Sequence, residues 1–126
     1  MDVAAKIKEL NLPNDSFIVV GSGILGALGI RESSDIDLIV SQQVYDLLEN
    51  AGWDHDNWSD QTVLKKGVFD IGRDWYGKKV NQLLEDAQNV ESIPYLSLDD
   101  VYEWKKRLGR PKDLADLILI DSYRNS

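Results

Sequence analysis

The sequence contains no cysteine, which excludes a disulfide framework and any cysteine-ligated zinc or redox centre. It holds a single histidine, His55, so a hydrolase triad would have to use that residue by default. His55 lies between Asp54 and Asp56 in a polar stretch, where an imidazole is ordinarily just hydrated. No apolar run approaches the ~20 residues needed to cross a bilayer, and Met1-Asp2-Val3-Ala4-Ala5-Lys6 lacks the shape of a signal peptide. Basic residues are in deficit, 14 against 22 acidic ones. The resulting net charge of −8 argues against a broad electrostatic grip on nucleic acid. Together these absences point to the cytoplasm and to no membrane partner.

What is present is an ordinary globular balance, 43% hydrophobic and 29% charged over 126 residues. That length supports one domain, residues 1–126, with a substantial core. Val3, Ile7 and Leu10 at helical spacing predict a helix over 2–11. Phe17-Ile18-Val19-Val20 reads as a short buried strand, 22–30 as a short glycine-rich helix or turn, and 35–40 as a second strand. Ser41 caps a helix over 42–51 with Val44, Leu47 and Leu48 inward. Residues 53–60 read as a loop or irregular strand. Strands at 61–66 and 67–71 and a helix over 78–88 follow, then an edge strand or extended segment at 93–96. Ser97 with Asp100 forms a capping box for a helix through Leu108, and Gly109 and Pro111 separate it from the last helix. This order predicts an α/β (α+β) fold, a mixed sheet flanked by helices.

The most informative segment is Ser34-Asp35-Ile36-Asp37-Leu38-Ile39-Val40. Ile36, Leu38 and Val40 alternate at period two, so one face of this strand enters a core and Asp35 and Asp37 project together from the other. Two carboxylates about 4 Å apart at an effective dielectric of 20 repel by roughly 4 kcal/mol. A divalent cation between them converts that repulsion into a binding site. The bland alternative is a hydrated strand face.

Just upstream, Gly21-Ser22-Gly23-Ile24-Leu25-Gly26 matches the dinucleotide-binding pattern G-x-G-x-x-G and follows a strand. Its context fails. Only residues 27–34 separate Gly26 from Asp35, too few for a crossover helix, and the acids lie at the beginning of the next strand. The other reading takes Gly21 and Ser22 as a turn that lets phosphate approach the backbone. Basic residues concentrate late, through Lys65, Lys66, Arg73, Lys78 and Lys79 to Lys105, Lys106, Arg107, Arg110 and Lys112. They are either hydrated helix faces or a neutralising surface for a polyphosphate.

The apolar-Gly-Ser element followed after 14 positions by Asp-apolar-Asp-apolar resembles the polymerase-β-like nucleotidyltransferase superfamily. Gly67-Val68-Phe69-Asp70-Ile71 is similar to the strand that carries that family's third carboxylate. Arg110-Pro111-Lys112-Asp113 looks like the Arg-x-Lys-Asp tail of members related to abortive-infection toxins and antibiotic-modifying enzymes. The resemblance implies that Asp35, Asp37 and Asp70 are catalytic and hold two Mg²⁺ ions, or Mn²⁺. It also implies that Gly21, Ser22 and Lys112 bind the nucleotide, with Asp113 and Asp116 orienting Lys112. The implied activity is transfer of a nucleoside monophosphate from an NTP, ATP first, to an acceptor hydroxyl. Two rivals stand beside it: a catalytically inactive nucleotide-binding protein of the same fold, and an antitoxin-like subunit whose acidic surface meets a basic partner. Trp53, Trp58, Trp75 and Trp104 read as packing residues rather than a stacking platform.

Overall fold

Four consecutive apolar residues, Phe17–Val20, form strand β1 in the interior of a seven-stranded sheet, and all four are buried. The computed structural model describes all 126 residues. Helix α1 (Val3–Glu9) precedes β1 and starts where the Asp2 carboxylate accepts from the Ala5 N–H at 3.1 Å. After β1 come the short helix α2 (Gly23–Ala27) and strand β2 (Ile36–Val40). Helix α3 (Gln42–Asn50) follows, capped by Ser41, whose Oγ accepts from Val44 N–H at 3.2 Å. Strands β3 (Asp54–Trp58), β4 (Gln61–Lys66) and β5 (Phe69–Gly72) form a meander. The chain continues through α4 (Val80–Leu84), β6 (Gln88–Val90) and β7 (Ile93–Tyr95). It ends in α5 (Leu98–Leu108) and α6 (Pro111–Arg124).

The sheet order is β3-β4-β5-β2-β1-β7-β6. It is mixed: β2 pairs with β5 and β1 with β7 in parallel, and every other neighbour is antiparallel. This is the α+β architecture expected. One contiguous core of 27 buried residues spans every helix and all the strands except β3 and β6, so the chain is a single domain.

Several local expectations are corrected. The helix expected over 78–88 is confined to Val80–Leu84, and Gln88 already begins strand β6. Strand β2 is central, and Ile36, Leu38, Ile39 and Val40 are all fully buried, so both faces are covered and Asp37 is its one polar position. The 93–96 segment is not an edge. Its strand β7 lies between β1 and β6, and its shortness lets Pro94 sit without breaking a long ladder. On α3 Tyr45 turns inward and Leu47 outward, because Val44 and Tyr45 meet the sheet together. Residues 54–58 form a regular strand despite their polarity, since an exposed edge strand needs no apolar face. The capping box at Ser97 is only half made: its Oγ accepts from Asp100 N–H at 3.1 Å without the reciprocal bond.

Candidate active site

The registers of three neighbouring strand pairs build the site. In the antiparallel β1–β2 pair Val20 stands opposite Asp37, which brings the turn after β1 to the Asp37 carboxylate. In the parallel β2–β5 pair Asp37 stands opposite Asp70, and in β4–β5 Asp70 stands opposite Lys65. Partners at one register position share a face of the sheet. Asp37, Asp70 and Lys65 therefore form a row across three strands. Asp35 sits two residues before Asp37 at the exposed entry to β2.

Asp37 is held in an unfavourable setting. Its carboxyl is pushed up from 3.8 to about 6, first by burial, then by the charges of Asp70 and Asp35; only the Lys65 ammonium opposes them. Asp70 is differently placed. Its Oδ1 accepts from Lys65 Nζ at 3.1 Å, its side chain is 15% exposed, and it does not line the cleft that Asp35 and Asp37 open into. The Lys65 ammonium is in turn held above its ordinary range, by its hydrogen bond to Asp70 first. The three carboxylates do not close into a ready three-ligand cage.

The glycines of the turn have separate physical jobs. Gly21 has φ +65°, and a Cβ there would lie 3.1 Å from Asp37 Oδ2, so backbone and carboxylate meet because no side chain intervenes. A Cβ at Gly23 would collide with the Val19 side chain, and one at Gly26 with Ser33 Oγ, so these two let α2 press onto β1 and the 31–34 segment. Ser22 stands at the N-cap position of α2, yet its hydroxyl caps nothing there. The dinucleotide reading fails here outright: α2 is 5 residues long and β1 and β2 are antiparallel, whereas that fold needs a parallel crossover unit.

A cleft of about 920 Å³ joins these residues to the C-terminal helices. Gly21, Ser22, Asp35 and Asp37 line one side; Arg31, Lys105, Arg110 and Lys112 line another. Lys112, the second residue of α6, reaches the cleft and is exposed. Asp113 and Asp116 do not orient it. The Asp116 carboxylate accepts from Arg31 Nε at 2.7 Å and Nη2 at 3.0 Å, and from the Lys105 ammonium, 2.9 Å away. Asp113 accepts from Arg110 Nε at 2.6 Å, Nη2 at 3.1 Å and backbone N–H at 3.1 Å, with Lys105 Nζ 3.5 Å away. Asp113 is held below the usual carboxylate range by the Arg110 hydrogen bond above all. Burial pushes Asp116 up, but the bonds from Arg31 and Lys105 outweigh it and leave it below as well.

Sequence reasoning missed this network. The signal was the spacing Lys105, Arg110, Asp113, Asp116, which places all four at one helix–helix corner. Two carboxylates serve three cations there, leaving the wall positive before Lys112 is added. Lys106, by contrast, pairs with Glu103 at 3.7 Å outside the cleft.

The tryptophans divide. Trp53 packs on Phe69 in the core, with ring centroids 6.2 Å apart. The other three line the cleft with Tyr76. Trp75 meets Trp58 at 6.4 Å, Tyr76 at 5.0 Å and Trp104 at 5.2 Å, all edge-to-face, and Trp104 Nε1–H donates to the Tyr76 hydroxyl at 2.9 Å. They pack on one another and form an aromatic wall at once. His55 is elsewhere, exposed and 2.8 Å from Glu49 Oε2.

Comparison with known proteins gives no match: no family model, no curated protein and no solved structure is significantly similar to the chain. No helix is long and apolar enough to cross a membrane.

Proposed function

We propose that this protein is a nucleotidyltransferase of the polymerase-β-like kind, transferring a nucleoside monophosphate from an NTP to an acceptor hydroxyl. The observation that carries the reading is Asp37: a half-buried carboxylate crowded by two others, pressed against the Gly21 turn, in a cleft whose far wall is cationic. Such an arrangement costs stability unless something positive binds. Hard carboxylate oxygens with no nitrogen or sulfur donor suit Mg²⁺ or Mn²⁺, with Asp35 and Asp37 as the residues that would hold it. A bound ion supplies charge neutralisation at the phosphates and makes a hydroxyl more acidic.

The chain's own residues do the rest. Gly21 exposes backbone and Ser22 a hydroxyl toward the phosphates. Arg31, Lys105 and Arg110 keep the opposite wall positive, and Lys112 offers an exposed ammonium to the developing charge. The aromatic wall of Trp58, Trp75 and Trp104 offers apolar surface to a base or an acceptor, and keeps water from that side. The cytoplasm is the compartment this reading assigns.

A second reading, a non-catalytic partner-binding protein of the same kind, draws on α6. Leu114 and Ile118 there, four residues apart on one side of the helix, are 52% and 68% exposed. Turnover separates the two. Each α-labelled NTP is incubated with the protein, Mg²⁺ and a host extract, and the labelled acceptor is isolated. Label should pass to an acceptor with the wild type and not with Asp35→Asn. No transfer from any NTP, together with no NTP-dependent rise in melting temperature, would remove the proposal.

A further inference from the structure

Lys65 and Lys66 are neighbours on β4, and strand alternation sends them to opposite faces. Lys66 Nζ lies 5.8 Å over the Trp53 ring. Lys65 goes to the carboxylate face, in register with Asp70, its Nζ 3.1 Å from Asp70 Oδ1. Asp70 in turn stands opposite Asp37 in the β2–β5 register, with Asp35 two residues before it, so one ammonium ends the row in which the acids meet.

We infer that Lys65 supplies from within the chain the positive charge that Asp70 would otherwise take from a second divalent ion, so that the centre binds one ion, at Asp35 and Asp37, and not two. This rests on the nucleotidyl-transfer reading of the same carboxylates. An ordinary cross-strand ion pair would join Lys65 and Asp70 with no reference to a third group. Here the row continues to Asp37, which makes no ion pair of its own within 4 Å, and Asp70 is not part of the cleft lining. A second divalent ion at Asp70 would have to expel a like charge already bonded to its ligand. The ammonium is a compact point charge with three donors and satisfies a carboxylate without fixed coordination geometry. Lys65 is a positioning residue in this scheme: it holds Asp70 and offsets part of the charge on Asp37.

The test counts ions rather than products. The protein is titrated with Mn²⁺ in the presence of an α,β-methylene ATP analogue, with free Mn²⁺ followed by electron paramagnetic resonance. The wild type should bind one Mn²⁺ per chain beyond those held by nucleotide alone. Lys65→Met should bind a second, with the broadening that two neighbouring Mn²⁺ ions produce. Lys65→Arg should stay at one, and Lys65→Met combined with Asp70→Asn should return to one. Two ions on the wild type overturns the inference while leaving the nucleotide reading intact, and that count needs no variant to fold. One ion on a natively folded Lys65→Met overturns it too. No Mn²⁺ on either protein, with no binding of the analogue, removes the parent reading together with the inference.

Discussion

Gly21 approaches the Asp37 carboxylate so closely that a methyl group at its α-carbon would stand 3.1 Å from Oδ2. The same residue has φ +65°, a left-handed conformation that costs a residue with a Cβ roughly 1–2 kcal/mol. Gly21→Ala is therefore expected to lose about that much stability in urea unfolding and to weaken NTP binding, because the new methyl narrows the space beside the carboxylate. Wild-type stability and wild-type nucleotide affinity in this variant would separate the turn from the site.

Asp37 gives a pH prediction with a definite sign. Its carboxyl sits at about 6 in the folded protein against 3.8 ordinarily, so between those values the folded state holds more protons than the unfolded one. Its contribution to stability therefore falls as pH rises through that window, and the full penalty is present above about pH 6. Asp37→Asn, which lacks the charge, should be more stable than wild type by on the order of 2 kcal/mol near pH 7.5, with the advantage fading toward about pH 4. Paired urea titrations across this range check it. A difference that is flat with pH would show that burial and crowding do not act on Asp37 as described. The same variant should lose Mg²⁺-dependent nucleotide binding, since an amide replaces a carboxylate poorly as a ligand of a hard ion.

Lys112 and Lys106 differ in place and should differ in effect. Lys112 lines the cleft, whereas Lys106 faces away and pairs with Glu103. A charge-assisted hydrogen bond contributes about 1.5–3 kcal/mol, so Lys112→Ala should weaken NTP binding by roughly ten- to a hundredfold. Lys106→Ala should change it little, and neither should move the melting temperature much. Calorimetric titration of both variants decides the matter, and equal losses would reduce the tail to a generic basic surface.

The corner where α5 meets α6 is held by Asp116, which is 5% exposed and serves both Arg31 and the buried Lys105. Asp116→Ala leaves Lys105 with only its 3.5 Å partner Asp113 and leaves Arg31 without a carboxylate. Removing one member of such a buried set typically costs about 3–5 kcal/mol, and a loss of that size is expected in equilibrium unfolding. A change within about 0.5 kcal/mol, the range of ordinary surface substitutions, would show the network to be decoration.

Much of the fold was legible in short stretches of sequence. The buried run at 17–20, the Ser41 and Ser97 caps and the Gly109-Arg110-Pro111 break all act within a few residues, and each stands where the local pattern puts it. The acid-apolar-acid strand and the glycine turn before it were legible for the same reason: alternation and positive φ are local properties. Sheet order was not. That β7 pairs with β1 and lies inside the sheet depends on contacts across more than 70 residues, and the pattern of Ile93-Pro94-Tyr95 is the same at an edge or within. Leu47 and Tyr45 exchanged places because an apolar count along α3 does not say where the sheet lies.

The sequence alone determined which residues are candidates for the proposed site: a turn with no side chain at Gly21, two acids on strands and a third at a strand's entry, a late cluster of cations, and no cysteine to offer another route. Only the tertiary structure decided how they are paired. Register set Lys65 on Asp70, and the α5–α6 corner gave Asp113 and Asp116 to Lys105, Arg110 and Arg31 rather than to Lys112. The physical reason is range. Propensity and alternation act through neighbouring bonds, whereas charge pairing is settled by whichever opposite charge the folded chain brings within about 4 Å, and that distance is a property of packing.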